Sequence, residues 1–445
     1  MRISIYNFRI FAVWTLIFIF VSLPAWSANL TGESGEKLGQ LSFADAYQKI
    51  LELSTRIAIQ KENIEIAKAQ TLKPFGQLLP KMSFVAKDLR SGEPYLAQQQ
   101  ASLEVSMNLF RFGADSLALK SSSLNTKSQD EELAVAKLES EDTALSAIFA
   151  VIRYATSLDV YRVVSKNRQE LLRIAEERYQ KGLLALQEVQ KISVDFENSK
   201  ARETDAANLL HDAEGELEAL LASHWLEKMW PWSDVIKAKA KTLEQELKEF
   251  KLENSPQYRS AVFAEESSRA NLNAKWRSLF PSIDLTFSTG NSDLSRGPTT
   301  YYAGAVILTI PIFDQFREYS DYRQAVGFSR QASAQRLFLA HDLSPLFEAA
   351  KKKFQNSLES SLLREKNLSV SRKLYDDNFA RFKQGRVSVN DLLIDQNRLS
   401  DAELLAIEGW HDLHLSYEKF CHAAGMNVDV HGNCQGLSTE SSSVF

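Results

Sequence analysis

Leu103-Glu104-Val105-Ser106-Met107-Asn108-Leu109-Phe110 alternates apolar and polar residues, and from Gly113 to Gly182 no glycine or proline interrupts the chain. The first pattern has a period of two and predicts a strand with one oily and one wet face. The second is rich in Ala, Leu, Glu, Lys and Gln and predicts one helix. At 1.5 Å per residue, nearly seventy residues reach roughly 100 Å, longer than any helix of a compact domain. Leu117, Leu124, Leu138, Leu145 and Ile152 recur at sevens, the spacing that lets long helices lie side by side. By itself this segment also suits an ordinary coiled-coil dimer.

Reading outward, the pattern recurs. Leu79-Pro80-Lys81-Met82-Ser83-Phe84 aligns with Phe280-Pro281-Ser282-Ile283-Asp284-Leu285, Asn108-Leu109-Phe110 with Pro311-Ile312-Phe313, and Arg178-Tyr179-Gln180-Lys181-Gly182 with Arg381-Phe382-Lys383-Gln384-Gly385, at offsets of 201 to 203. Three collinear matches indicate duplication. Each half carries two strand candidates. Met82, Phe84 and Ala86 alternate with Lys81, Ser83, Val85 and Lys87, and Ile283, Leu285 and Phe287 with Ser282, Asp284, Thr286 and Ser288. The fourth strand, expected from Tyr301 to Ile310, is less cleanly patterned. Strands of about ten residues with aromatics near their ends suit a transmembrane barrel, and a small soluble β-sandwich is the alternative. Four strands cannot close a barrel, and open edges cannot face lipid. A barrel must therefore be shared: two chains give eight strands and three give twelve.

At the N-terminus, Arg2 and Arg9 precede an apolar run from Ile10 to Leu23, followed by Pro24 and Ala25-Trp26-Ser27. This predicts a signal peptide cleaved after Ser27; an uncleaved anchor is disfavoured because the run is shorter than the ~20 residues of a span. No other stretch is expected to cross a membrane as a helix. With 44% hydrophobic and 24% charged residues the chain folds. Its formal charge of −5 becomes −7 without Arg2 and Arg9, which does not indicate a nucleic-acid surface. The boundaries follow: residues 1–27 signal peptide, 28–40 N-terminal tail, 41–222 first repeat, 223–253 mid-tunnel linker, 254–425 second repeat and 426–445 C-terminal tail.

Shorter helices are expected from Leu41 to Leu79, Leu183 to Leu221, Thr242 to Phe280 and Arg386 to Ala424, so that two laid end to end match one long helix. The cluster Trp225, Trp230, Pro231 and Trp232 is expected as a packed belt at mid-height, and Pro345 as a kink in the second long helix.

The doubled turn element, followed by Glu188-Val189 in one half and Asp391-Leu392 in the other, resembles that of the TolC-like outer-membrane efflux proteins, as do Leu79-Pro80, Phe280-Pro281 and Pro311-Ile312-Phe313-Asp314 at the strand ends. The resemblance covers nearly all of the mature length. It implies a mainly α fold with a transmembrane β part: a long α-helical hairpin tunnel continuous with a 12-stranded β-barrel shared by three protomers, four strands each. It further implies a homotrimeric duct of a tripartite efflux or type I secretion system, set in outer-membrane lipid with its tunnel in the periplasm. A periplasmic adaptor and an inner-membrane pump would be its partners. The turns, with Lys181, Gly182, Leu183, Gln384, Gly385 and Arg386, would dock the adaptor. Glu188 and Asp391 fall on the acidic tip positions, where a carboxylate ring would favour cations; ordinary solvated helix acids are the plain alternative. The gating tyrosine of that family falls on Phe382 and its partner arginine on Val387, so that lock is absent in the same form.

No phosphate loop, nucleophile elbow or zinc-protease helix occurs, so no enzyme and no cofactor is expected. His411, His414, Cys421, His422, His431 and Cys434 lie close in sequence, but scattered side chains are favoured over a metal site. Cys421 and Cys434 form a disulfide candidate in an oxidising compartment. The rival of another class is a periplasmic coiled-coil adaptor or scaffold without a pore.

Overall fold

A computed structural model describes residues 42–90, 97–222, 236–237, 251–294, 297–384 and 386–436. The expected signal peptide, the N-terminal tail, the cluster of Trp225, Trp230, Pro231 and Trp232, and Gly385 lie outside the described residues. In chain order the elements are α1 (Phe43–Leu53), α2 (Thr55–Gln77), β1 (Lys81–Arg90), β2 (Ala97–Phe110), α3 (Ala114–Gln180), α4 (Leu186–Leu221), α5 (Pro256–Arg277), β3 (Ser282–Leu294), β4 (Gly297–Thr309), α6 (Arg317–Lys383), α7 (Val389–Ala423), β5 (Met426–Val428) and β6 (Cys434–Gly436).

The duplication is written into the backbone. α3 and α6 are both 67 residues long, and their first residues, Ala114 and Arg317, are 203 positions apart. Each strand-to-helix corner carries two consecutive residues at positive φ, Phe112 (52°) and Gly113 (77°) in one half, Gln315 (62°) and Phe316 (64°) in the other. Non-glycine residues adopt this region at a cost, so its recurrence at the same offset marks one inherited corner. α6 continues through Pro345.

Two of the shorter helices depart from expectation. The first breaks at Ser54, whose backbone is extended (ψ 111°) and whose Oγ caps α2 by accepting from Ile57 N. Ser54 Oγ also lies 2.8 Å from Ser140 Oγ on α3; a serine offered two such partners leaves the helical ladder. The third is interrupted by a 3-10 turn at Leu252–Asn254 and an extended Ser255, and α5 starts at Pro256; residues 242–250 of the expected helix lie outside the described residues. Proline fixes its own φ for a helix start and pushes the preceding residue out of the α region.

Each long helix runs beside two shorter ones: α3 beside α2 and α4, α6 beside α5 and α7. α5 also packs closely on α3, where Ser121 faces Ser267 and Ser128 faces Ser260 with Oγ–Oγ distances of 3.2 and 3.1 Å. The main core sits at mid-length of the long helices, with Leu145, Ile148, Phe149, Ile152, Phe347, Phe354, Tyr417 and Phe420 fully buried. Here a further correction arises. One window of α3 is apolar enough to cross a membrane by composition, contrary to the sequence expectation, and half of it is buried. That apolarity serves the core.

The four long strands form one antiparallel sheet in the order β1-β2-β3-β4. Met82, Val105, Phe287 and Gly304 share one row; Phe84, Leu103, Thr289 and Tyr302 the next; Met107, Leu285 and Val306 another. These rows make one apolar face, on which Met82, Phe84, Phe287, Tyr302, Val306, Leu308 and Ile310 are exposed. The opposite face carries Lys81, Ser83, Glu104, Ser106, Asp284, Thr286 and Ser288, and Asn108 donates to Asp284 at 3.0 Å across it. From Tyr302 to Ile310 the chain advances roughly 27 Å, or ~20 Å at a barrel tilt of ~40°, close to the height of a barrel's lipid-facing band. The outer edges of β1 and β4 are unpaired among the described residues.

Candidate functional site

At the far end from the sheet, the long helices turn back. α3 stops at a glycine turn in which Gly182 (φ 72°) donates to Tyr179 O at 2.8 Å and Leu183 donates to Arg178 O at 2.9 Å. These are the two bonds of a Schellman stop, and the left-handed position selects glycine. A Cβ on Gly182 would meet nothing within 4 Å, so conformation rather than space sets the choice. In the second turn Arg386 N donates to Arg381 O at 3.0 Å, the same six-to-one bond. Lys181 and Gln384 are the C-cap residues. Lys181, Leu183, Gln384 and Arg386 are all exposed at the turns.

Glu188 and Asp391 occupy the third position of α4 and α7. Carboxylates are favoured there by unpaired N–H groups and the helix dipole. Asp391 is engaged in a cap: Ser388 Oγ donates to its Oδ2 at 2.7 Å and accepts from its N at 3.1 Å. Glu188 lies 3.8 Å from Lys191. It lines an open groove of ≈ 600 Å³ between the first turns of α4 and α7, with Gln187, Lys191, Val389 and Asn390.

Phe382 is packed inside the coil. It is 3% exposed and clusters with Leu171, Ala175, Ile192, Leu392 and Leu393, and the Arg178 guanidinium sits 5.1 Å from its ring centre. An aromatic without a hydroxyl has no polar end to keep wet. Val387 packs partly buried against the same cluster.

The sequence reading missed Arg168. Its buried guanidinium donates to Asp195 O at 3.3 Å, lies 3.8 Å from the Asp195 carboxylate, and donates to Asn397 Oδ1, so that α3, α4 and α7 meet on one side chain. Burial lowers its pKa, and Asp195 opposes this. Nearby, Asn378 on α6 donates to the buried Asp395 on α7 at 2.5 Å. The available signal was spacing: Arg168 lies three and seven residues before Leu171 and Ala175, on the apolar stripe.

The histidine and cysteine residues do not converge. A disulfide joins Cys421 and Cys434 (Cα–Cα 5.7 Å). His414 is buried with Nδ1 on Trp410 O at 2.7 Å, and burial pushes its pKa down to about 4. Among the described residues no three His, Cys, Asp or Glu side chains are placed to hold a metal.

No family sequence model matches the chain, and no curated protein matches it in sequence. Solved structures do match. CusC, studied for conformational changes accompanying folding and transmembrane channel formation, superposes with a TM-score of 0.72 at 16% identity over 87% of this chain and 95% of that one. The Campylobacter jejuni CmeC outer membrane channel gives 0.71 at 16% identity over 92% of each chain. The open state of the Neisseria gonorrhoeae MtrE outer membrane channel gives 0.66 at 19% identity over 86% and 88%. At nearly full length on both sides, the chain has the fold of these outer-membrane channels.

Proposed function

We propose that the chain is one protomer of a homotrimeric outer-membrane duct, a passive conduit of a tripartite efflux or type I secretion system. One observation carries this reading. The sheet presents an apolar face to its surroundings and a polar face on its other side, and has two unpaired outer edges among the described residues. In lipid such edges must be paired, and copies of the chain supply the partners, with twelve strands in a trimer. The helical hairpins, roughly 100 Å long, would continue the barrel as a periplasmic tunnel. The likeness to CusC, CmeC and MtrE supports this reading.

The turns carry the partner contacts in this proposal. Lys181, Leu183, Gln384 and Arg386 present exposed side chains beside Gly182 and Gly385, where a periplasmic adaptor coupled to an inner-membrane pump would dock. Glu188, at the mouth of its groove, and Asp391 would set an acidic ring, while Phe382 would hold the coil closed from within. The chain itself would catalyse nothing and need no cofactor.

Fractionation and bilayer recording test the proposal. The protein is expected in the outer membrane as a heat-modifiable trimer that conducts ions in planar bilayers. A water-soluble single chain without conductance overturns it.

A further inference from the structure

The C-terminal hairpin closes over the mid-length core and carries one half of the disulfide. The chain leaves α7 through Gly425 (φ 77°), where a Cβ would stand 2.3 Å from Asn254 O, so only a residue without a side chain passes the Leu252–Asn254 turn here. β5 and β6 then pair antiparallel, Met426 with Gly436 and Val428 with Cys434. The Asp429 carboxylate shapes the turn between them by accepting from His431 N at 2.9 Å and Asn433 N at 2.7 Å. Two buried tyrosines hold the hairpin to the helices: Tyr47 OH donates to Val428 O at 3.1 Å, and Tyr417 OH donates to Gly432 O at 2.6 Å.

The two cysteines stand differently in this arrangement. Cys421 lies on α7 with no exposed surface, in the same cluster as Phe347, Phe354 and Phe420. Its neighbour Phe420 stacks on Phe354 of α6 with 5.5 Å between ring centres. Cys434 opens β6, is partly exposed, and is followed by the exposed Gln435 and Gly436. A hairpin with strands of three residues is marginal by itself, whereas α7 has 35 residues and the mid-length core to fold on. Helix packing therefore covers Cys421, and the hairpin brings Cys434 to it. With the hairpin held by Tyr47 and Tyr417, the two Cα atoms are 5.7 Å apart, a separation that a disulfide spans without backbone movement.

A disulfide forms by exchange, in which a thiolate attacks a sulfur of an existing disulfide, and only a thiol that the exchanger can reach takes part. We propose that Cys434 is the exchanging cysteine and Cys421 the resolving one when a periplasmic thiol exchanger, in its disulfide form, closes this bridge. The Cys434 thiolate attacks the exchanger's disulfide, forms a mixed disulfide and releases the first exchanger sulfur as a thiolate. The Cys421 thiolate then attacks the Cys434 sulfur, closes the bridge and releases the second exchanger sulfur. Two electrons pass from the cysteine pair to the exchanger, which ends as a dithiol, and the two cysteine protons pass to its sulfurs through water. The oxidising compartment rests on the export reading, whereas the division of roles rests on burial alone.

Glutathione disulfide is the probe, applied to the full mature chain in detergent. Cys421→Ser should take up one glutathione on Cys434, read by intact mass after acid quench. Cys434→Ser should react at Cys421 more than about tenfold more slowly, because a buried thiol reacts only while its cover is open. Where a variant fails to fold, the wild type decides. Reduced glutathione added to the intact disulfide should be trapped on Cys434, with Cys421 carrying the alkyl group after acid quench, denaturation, alkylation and peptide mapping. Glutathione trapped on Cys421, no uptake by folded Cys421→Ser, or equal rates in the two variants overturns the division of roles. A wild-type chain alkylated at both cysteines immediately on cell lysis overturns closure in the cell together with the export reading, so the two failures are told apart.

Discussion

An arginine at Val306 tests the membrane reading in the middle of the apolar face. Val306 is 68% exposed on the apolar face, in the same row as Leu285 and Met107. It lies four residues from Tyr302 and four from Ile310, roughly 14 Å along the strand each way, so it marks the middle of the oily band. A lipid-facing arginine costs about 2–4 kcal/mol at the midplane and ~0–1 near the interfaces. Val306→Arg should therefore reduce assembly by roughly 30-fold to 700-fold for each protomer, and by about 6–12 kcal/mol for a trimer. Two controls fix the cause. Ile310→Arg sits at the edge of the band, and Thr286→Arg points to the opposite face, where its register partner is Ala305; both should assemble nearly as the parent does. The readout is the fraction of outer-membrane material running as a heat-modifiable trimer. If Thr286→Arg is as damaging as Val306→Arg, or Val306→Arg as harmless as Ile310→Arg, no lipid lies against this face.

Phe382→Ala removes the largest buried side chain of the tip cluster and should cost about 3–5 kcal/mol, seen as faster proteolysis near the turns with the barrel intact. Gly182→Ala meets no atom within 4 Å but places an L side chain at φ 72°. It should destabilise the turn by ~1 kcal/mol, read as faster amide exchange at Gly182 and Leu183. For Glu418 the sign is set by the raised carboxyl: the folded chain keeps a proton that the unfolded chain gives up. That contribution is fully present below the unfolded carboxylate range near pH 4 and is lost as pH rises toward the folded value. Glu418→Gln should accordingly gain stability over the parent as pH rises from 4 to 8 in denaturant titrations; a constant difference refutes the buried proton.

The long helices and the strands were legible because their signals are local. The glycine-free run after Gly113 and the alternation around Val105 each report one element, and duplication supplied the second copy. Helix ends were less visible where a single residue decides between two hydrogen-bond partners. Ser54 leaves the helix for α3, and Pro256 starts one after the extended Ser255. The first turn was readable from Gly182, since the left-handed stop needs glycine, whereas Arg168 and Glu418 were not. Their roles depend on Asn397, 229 residues away, and on Glu141 and Asp142 of another helix. A buried charge looks like any surface charge until the element opposite it is known. Phe382 illustrates the reverse. Its ring is buried in the coil with Leu171, Ile192 and Leu392, because an apolar ring near a turn has no reason to face water when a coil interior is available.

The uneven distribution of buried contacts says where such a chain can move. Among the described residues the mid-length cluster joins 22 buried ones, including Phe149, Phe354 and Tyr417, and is further tied by a disulfide. The tip cluster has six buried residues among those described, Phe382 being the aromatic one, with Tyr375 and Phe379 partly buried against it. Each large apolar side chain fully buried contributes about 1.5–3 kcal/mol, so separating the hairpins at the tip costs a small part of what opening the middle would. Local opening follows the weaker cluster. At the tip the polar contact of Arg168 with Asn397 crosses between the two repeats and must break when the hairpins part. A partner that binds the exposed turns more tightly in the parted state shifts that balance by its differential affinity alone, and the thicker mid-length core keeps the helices in register while it does so.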